Sequence, residues 1–160
     1  QVFQDQYGLT TTFVYVVGAL AFSMGISSLL NSFLVIRFGM KKLATYFLIL
    51  FIGSSLLYCI LFFGKANPSL PIIMVFFAIQ FLSLGFIFVN IRALAMEPIG
   101  HMAGIGAAIN GFISTLISVL IAIFIGLFLK DTVYPIFIGF FICASLSLGL
   151  MSFLNNSKQT

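Results

Sequence analysis

The sequence is short of charged side chains. Only 6% of its 160 residues are charged, with seven Lys or Arg and three Asp or Glu, whereas 62% are hydrophobic. A soluble domain carries about 25% charged residues, because polar groups must cover its surface. This scarcity excludes a water-soluble globule, a disordered chain and a nucleic-acid-binding protein of the usual kind. The net charge of +4 reflects missing acids rather than a basic patch, so the composition places the chain in lipid.

The sequence also lacks clusters of catalytic or ligand-binding residues. The two cysteines, Cys59 and Cys143, lie inside apolar runs without a nearby His, which is typical of small buried hydrophobic residues. No Ser/His/Asp arrangement, metal-ligand spacing or phosphate-binding loop is present. We therefore expect no enzyme, no cofactor and no metal site.

Long apolar runs make up most of the chain. A bilayer core about 30 Å thick needs roughly 20 apolar residues for each helical span. Cutting the sequence at charges and turn residues predicts five spans, at about 11–36, 43–63, 70–94, 103–129 and 133–154. Runs of this length must be helices, because backbone polar groups in lipid are paired within the segment. The sequence predicts an all-α membrane protein, a polytopic bundle with five transmembrane helices in a single transmembrane domain.

The cations of the short loops are divided unevenly between the two sides of the membrane. One side receives Arg37, Lys41, Lys42, Arg92 and Lys158. The opposite side receives Lys65 and Lys130. Because cytoplasmic loops carry an excess of Lys and Arg, we expect the N-terminus outside and the C-terminus in the cytoplasm.

Small residues recur at helical spacing in the first and fourth predicted spans. Such spacing lets helix backbones approach closely in lipid, so we expect these two helices to be central in the bundle. The predicted packing positions are Gly25, Gly104, Gly111, Ser118 and Gly126. The second span is rich in Phe and Leu and has few small residues, so we expect it to face lipid.

Amide side chains within the spans are candidates for a transport pathway. There are four, Gln80, Asn31, Asn90 and Asn110. A polar group inside a membrane usually faces protein or water, so each amide either forms a hydrogen bond between helices or lines a pathway. Gln80 is the deepest and the best pathway candidate. Arg92 is either a substrate-binding cation or, as we favour, a structural or gating residue that reaches the headgroups.

No carboxylate lies inside a predicted span, although proton-coupled transport normally needs a titratable group in its pathway. Glu97 is in a loop. His101 is the other titratable candidate, but its loop position beside Gly100 favours a solvated or capping role.

One loop resembles a signature of a known transporter family. The sequence around it reads Asn31-Ser-Phe-Leu-Val-Ile-Arg-Phe-Gly-Met-Lys-Lys42. It is similar to the degenerate loop signature in the C-terminal half of major facilitator superfamily transporters. The matching positions are Arg37, Gly39, Lys41 and Lys42. The acidic position of the full signature is Ile36 in this sequence. The resemblance implies that this loop takes part in the conformational change.

A second stretch gives a more specific resemblance. The sequence from Asn90 to Ala108 contains an alanine-rich segment, then Glu97-Pro98-Ile-Gly100-His101-Met-Ala-Gly104 and further small residues. It resembles the loop between the tenth and eleventh helices of drug/proton antiporters of the bicyclomycin-resistance type. The resemblance marks Arg92, Glu97, Pro98, Gly100 and His101 as an inner-loop motif.

The resemblance covers essentially the whole chain, as helices eight to twelve of a twelve-helix transporter. It implies part of the C-terminal half of a major facilitator superfamily fold, in a bacterial inner membrane. The implied function is proton-coupled efflux of drugs or small amphipathic compounds by alternating access. We therefore expect a truncated chain, with membrane lipid and a small-molecule substrate as partners. The coupling proton would be carried by acids in a missing N-terminal half.

Two other classes of function stay open at the level of sequence. The chain could be a small polytopic membrane protein with a structural or assembly role, in which the helices only pack. An intramembrane enzyme would need a catalytic cluster that the sequence does not contain.

Overall fold

A computed structural model describes residues 7–8, 13–64, 67–128 and 132–156, without the side chains at 99, 101, 103 and 154–156. Within these ranges the chain forms five α-helices and no strand. They are α1 (Phe13–Phe38), α2 (Met40–Leu61), α3 (Leu70–Met96), α4 (Ala103–Leu127) and α5 (Tyr134–Asn156). A 3-10 helix, Glu97–Met102, joins α3 to α4. The predicted all-α membrane fold is confirmed, since all five α-helices are long and apolar enough to cross a bilayer.

Each predicted span overlaps one of these helices. The largest difference is at α2, which begins at Met40, before the predicted start at 43. Lys65, Lys130 and Lys158, which contributed to the predicted orientation, lie outside the described residues. The orientation itself stays a prediction.

The turn between α1 and α2 is one residue long. Gly39 has φ 80° and ψ 152°, a backbone conformation that residues with a side chain rarely adopt. Its N–H donates to the Val35 carbonyl at 2.9 Å, and its carbonyl accepts from the Leu43 N–H at 3.2 Å. A single glycine thus ends one helix and begins the next. We call this side of the bundle the Gly39 end; α3 ends and α4 begins on the same side.

The opposite side, which we call the Pro68 end, is held by contacts between loops. The Tyr7 hydroxyl donates to the Pro68 carbonyl at 2.7 Å, and burial raises the pKa of this phenol. The Val133 N–H donates to Asn67 Oδ1 at 2.9 Å. The first bond joins the segment before α1 to the α2–α3 loop, and the second joins the beginning of α5 to the same loop.

The core lies between α2, α3 and α5. One cluster of buried side chains comprises Leu20, Tyr58, Ile73, Phe77, Val133 and Phe137. A second comprises Leu48, Phe51, Ile87 and Ala144. Aromatic rings stack in the helix interfaces, with centroids 3.7 Å apart for Tyr58–Phe137 and for Phe47–Phe86. The most extensive interface is between α2 and α3.

The expectation that the second span faces lipid is wrong. Seven α2 side chains are buried, among them Phe51 and Tyr58, and α2 packs against both α3 and α5. Lipid is as apolar as Leu or Phe, so hydrophobicity does not tell a lipid-facing helix from a central one. Ring stacking and shape complementarity decide the position instead.

The expectation that the first and fourth helices are central is also wrong within this chain. No described side chain of α4 is buried, and α1 has three buried residues. A Cβ added at any of four predicted packing glycines would meet no atom within 4 Å: Gly25, Gly104, Gly111 and Gly126. Ser118, the fifth predicted packing position, is exposed. Small residues permit a close approach, but they do not supply the partner surface that would produce one.

Close approach occurs at two other glycines. A Cβ on Gly85 of α3 would overlap the Ser27 hydroxyl of α1 and would lie 3.0 Å from the Met24 carbonyl oxygen. A Cβ on Gly139 of α5 would overlap the Ile125 side chain of α4. These contacts bring α1 against α3 and α4 against α5.

Candidate functional site

Gln80 joins α3 to α2 in the middle of the bundle. Its side chain is fully buried, and Nε2 donates to the hydroxyls of Ser54 at 3.1 Å and Ser55 at 2.7 Å. Both hydroxyls in turn donate to the Phe51 carbonyl, at 3.1 and 2.8 Å. Gln80 Oε1 has no hydrogen-bond partner among the residues that the structure describes. The amide therefore holds two helices together on one side and keeps one acceptor unsatisfied.

Asn90 joins α3 to α1. Its Nδ2 donates to Asn31 Oδ1 and to the Phe86 carbonyl at 2.8 Å. The side chains are 1% and 4% exposed for Asn90 and Asn31. Asn90 Oδ1 accepts no hydrogen bond from the described part of the chain. The two asparagines thus form a direct hydrogen bond between helices, nearer the Gly39 end than Gln80.

Three of the four predicted pathway amides therefore lie in packed interfaces. None of Gln80, Asn31 and Asn90 lines any of the four cavities described below. Their geometry favours the packing interpretation, and a pathway role for them stays a prediction.

The fourth amide, Asn110, lines a cavity together with Arg92. This cavity has a volume of about 150 Å³ and lies between α3 and α4, towards the Gly39 end. Its lining residues are Arg92, Met96, Ala107, Asn110, Gly111 and Ser114. The Ser114 hydroxyl donates to Asn110 Oδ1 at 3.4 Å. The structure thus places Arg92 of α3 and Asn110 of α4, both predicted from sequence as candidate site residues, at the same cavity.

A larger cavity continues along the same helix. It has a volume of about 490 Å³ and separates α4 from α2, α3 and α5. The α4 side contributes Ser118, Ile121, Ala122 and Ile125, and the opposite wall includes Phe51, Leu84 and Phe140. An apolar cavity of about 340 Å³ adjoins it between α4 and α5.

Four of the seven residues in the small-residue stripe of α4 line these cavities; the stripe comprises Gly104, Ala108, Gly111, Ser114, Ser118, Ala122 and Gly126. Gly111 and Ser114 face the cavity with Arg92, and Ser118 and Ala122 face the larger one. The stripe is therefore directed towards the rest of the bundle but is separated from it by empty space. We regard this α4 face and its two cavities as the candidate functional site, and call it the α4 cleft.

The residues of the Gly39 turn lie apart from the α4 cleft. Arg37 and Lys42 are exposed, and the Arg37 guanidinium carbon lies 5.6 Å from the Phe38 ring centroid. The Lys41 carbonyl accepts from the Thr45 hydroxyl at 2.9 Å. The conformational role implied by the family resemblance stays a prediction.

Four residues of the inner-loop motif, Glu97, Pro98, Gly100 and His101, lie in the 3-10 helix that joins α3 to α4, whereas Arg92 lies in α3. Glu97, Pro98 and Gly100 are exposed. The side chain of His101 lies outside the described part of the chain. This motif connects the two helices that carry Arg92 and Asn110.

The sequence analysis did not identify two sets of serines that form contacts between helices in the structure. Ser54 and Ser55 receive the Gln80 amide, and Ser27 lies against Gly85. An adjacent pair of serines in an otherwise apolar helix was an available signal for the first group. The contact of Ser27 with Gly85 had no sequence signal, since nothing in the sequence tells which helix meets α1.

Within the described ranges, no group of three His, Cys, Asp or Glu side chains could hold a metal ion. Comparison with protein-family models, with curated proteins and with solved structures found no match. The family resemblance of the two loop stretches therefore stays a prediction.

Proposed function

We propose that this chain is the C-terminal portion of a secondary active transporter that exports small amphipathic compounds by alternating access. The two loop resemblances and the five membrane-crossing helices support the proposal. The proposed setting is a bacterial inner membrane.

The observation that carries the proposal is the position of the α4 stripe. In a protein whose helices only pack, small residues at this spacing would bring two backbones into contact. Here the stripe lines cavities of about 150 and 490 Å³. A helix that presents small and hydroxyl-bearing residues to a space is suited to a substrate pathway, because such a pathway must admit a solute of variable shape.

The chemistry of the α4 cleft fits an amphipathic solute. The larger cavity has walls of Leu, Ile and Phe, with Ser118 and Ser147 as hydroxyl groups. The Arg92 cavity adds a cation and an amide at one end. Binding sites of this kind combine broad apolar contact with a few polar groups that orient the ligand.

Proton coupling normally needs an acidic side chain in the transport pathway, and this chain places none inside a predicted span. All three acids, Asp5, Glu97 and Asp131, lie outside the predicted spans. In the proposed transporter the coupling acids are therefore in a part of the protein beyond these 160 residues. The Gly39 turn would contribute by changing the angle between α1 and α2, since one residue connects them.

Cysteine accessibility along α4 tests the proposal. In a background with Cys59→Ser and Cys143→Ser, we would introduce Ser118→Cys and Ala122→Cys on the cleft face. The control variants Leu116→Cys and Leu120→Cys lie on the opposite, exposed face of the same helix. A charged, membrane-impermeant thiol reagent should label the cleft cysteines, because the pathway contains water, and should leave the controls unlabelled in lipid.

The transport assay uses cells that express the whole proposed transporter, of which this chain is the C-terminal portion. We expect these cells, when energised, to retain less ethidium than energised cells without the transporter. Ser118→Leu should abolish this difference by filling the cleft. Leu120→Phe, on the lipid-facing side, should export normally. Unlabelled cleft cysteines together with unchanged ethidium retention would refute the proposal.

A structural or assembly role is the second candidate. The direct bonds from Gln80 to α2 and from Asn90 to Asn31 favour it, since they act only to hold helices together. This role predicts no labelling on either face of α4 and no energy-dependent export.

A further inference from the structure

Arg92 is an exposed cation near the end of α3. Within the part of the chain that the structure describes, it forms no ion pair. Its guanidinium carbon lies 5.6 Å from the Phe88 ring centroid, which is cation–π distance. A ring face does not accept the five N–H groups that radiate in the guanidinium plane. These donors therefore remain available to an acceptor from outside the chain.

The cavity beside Arg92 presents donors. Asn110 Oδ1 already accepts from the Ser114 hydroxyl, so the Asn110 amide group offers its Nδ2 hydrogens. No carboxylate lines this cavity. A space lined by an arginine and an asparagine, without a carboxylate, has the polarity of an oxyanion site.

The space is large enough for such a group. Its volume of about 150 Å³ exceeds many times the roughly 10–15 Å³ that one ordered water needs. Arg92 also borders a second cavity, of about 290 Å³, with Met24, Phe88 and Val89. The guanidinium can therefore be reached from two sides.

Arg92 lies within reach of the headgroup layer. The 27 residues of α3 span about 40 Å, which is longer than a hydrocarbon core of about 30 Å. Arg92 is four residues before the end of α3 at Met96, a distance of about 6 Å along the axis. A helix centred in the membrane then places the backbone of Arg92 at the edge of the hydrocarbon core, from which its long side chain can reach the phosphates of one leaflet.

We propose that the cavity formed by Arg92, Asn110 and Ser114 binds an oxyanion, the phosphate of an anionic lipid headgroup or of a soluble phosphate. Arg92 supplies the charge and two parallel N–H donors, and the Asn110 amide supplies a third. Ser114 orients that amide by donating to its oxygen. This binding is independent of whether the protein transports a substrate.

The test measures phosphatidylglycerol bound to the purified full chain by native mass spectrometry. Phosphatidylcholine is the reference, because its phosphate is neutralised within the headgroup by a quaternary ammonium and the lipid has no net charge. Arg92→Gln should weaken phosphatidylglycerol binding by about tenfold, the loss of one charge-assisted contact. Asn110→Ala should weaken it less, and Arg92→Lys should give an intermediate value because it keeps the charge without the fork. Circular dichroism and gel filtration verify that each variant is folded.

Arg37→Gln is the matched control. Arg37 is also exposed, lies at the same end of the bundle and has its guanidinium carbon 5.6 Å from a Phe ring, but it lines none of the described cavities. It should bind phosphatidylglycerol as the unmodified chain does. Equal losses in Arg37→Gln and Arg92→Gln would show general charge attraction and would overturn the proposal.

Competition with inorganic phosphate distinguishes the two sources. Retention of phosphatidylglycerol against excess phosphate would assign the site to a lipid headgroup. Displacement by phosphate, lost in Arg92→Gln, would assign it to a soluble oxyanion. If the protein preferred neither phosphatidylglycerol nor inorganic phosphate over phosphatidylcholine, the proposal would be overturned.

Discussion

At the scale of single residues, glycines differ in what surrounds them. Gly85 touches another helix, whereas the glycines of the α4 stripe face open space. Both kinds sit among apolar neighbours in sequence, so spacing alone did not separate them. The difference arises because α1 crosses α3 at Gly85, with the Ser27 side chain against it.

Gly85→Ala should destabilise the protein. The new methyl group would overlap the Ser27 hydroxyl and press on the Met24 carbonyl, and overpacking of this kind costs about 1–3 kcal/mol. Unfolding by SDS in mixed micelles measures the change in free energy. Gly53→Ala is the control, since a Cβ there meets nothing within 4 Å and alanine favours the helix. If both variants unfolded alike, the contact at Gly85 would have no energetic weight.

At the scale of helices, polar pairs and one turn set the neighbours. Asn90 connects α3 to α1, and Gln80 connects α3 to α2, so α3 is bonded on two sides. The sequence predicted that these amides would be either bonded or pathway-lining. The choice required knowing which helix faces each amide, and this depends on the rotation of the helices about their axes.

A double-mutant cycle on Asn31→Ala and Asn90→Ala should show coupling. Hydrogen bonds between transmembrane helices contribute about 0.6 kcal/mol on average and up to about 1.7 kcal/mol. The short, buried contact here should fall in the upper part of this range. The cycle of Asn31→Ala with Gln80→Ala is the control, because the two residues share no partner. Coupling no larger than in that control would contradict the bond.

Gly39→Ala should destabilise the α1–α2 hairpin by about 1–3 kcal/mol, the cost of a non-glycine residue in a sparsely populated conformation. The cause is the positive φ of 80°, because there is open space around Gly39 for a methyl group. Gly39→Asn should not restore stability, since ψ of 152° is far from the left-handed helical region that asparagine tolerates. SDS unfolding is again the measurement. A stable Gly39→Ala protein would mean that the turn relaxes to a different backbone.

At the scale of the whole molecule, packing is concentrated on one side. The helices α2, α3 and α5 share the buried core, while α4 has no buried side chain among those described. The arrangement leaves the α4 cleft between a tight bundle and a loosely attached helix. The division bears on function, since packed helices provide rigidity and a separated one provides a space.

The predicted orientation in the membrane, which rests on the loop cations, is tested by the side from which introduced cysteines react. In a chain with Cys59→Ser and Cys143→Ser, Lys42→Cys should react with an impermeant thiol reagent from the cytoplasmic side. Ser69→Cys, an exposed residue at the Pro68 end, should react from the outer side. The cation excess predicts this result, because positively charged loops stay in the cytoplasm. Labelling with the opposite sidedness would reverse the proposed topology.

The apolar runs required five membrane-crossing helices, and the loops between them required antiparallel neighbours. This much followed from local physics, because lipid offers the backbone no partner outside its own helix. Helix positions in the bundle did not follow. Lipid and apolar side chains are nearly equivalent as surroundings, so α2 became central through ring stacking at Phe47 and Tyr58, which depends on side chains distant in sequence. For the same reason the α4 stripe, predicted to pack, lines a cleft, and Arg92 and Asn110 meet at one cavity only when α3 and α4 are folded together.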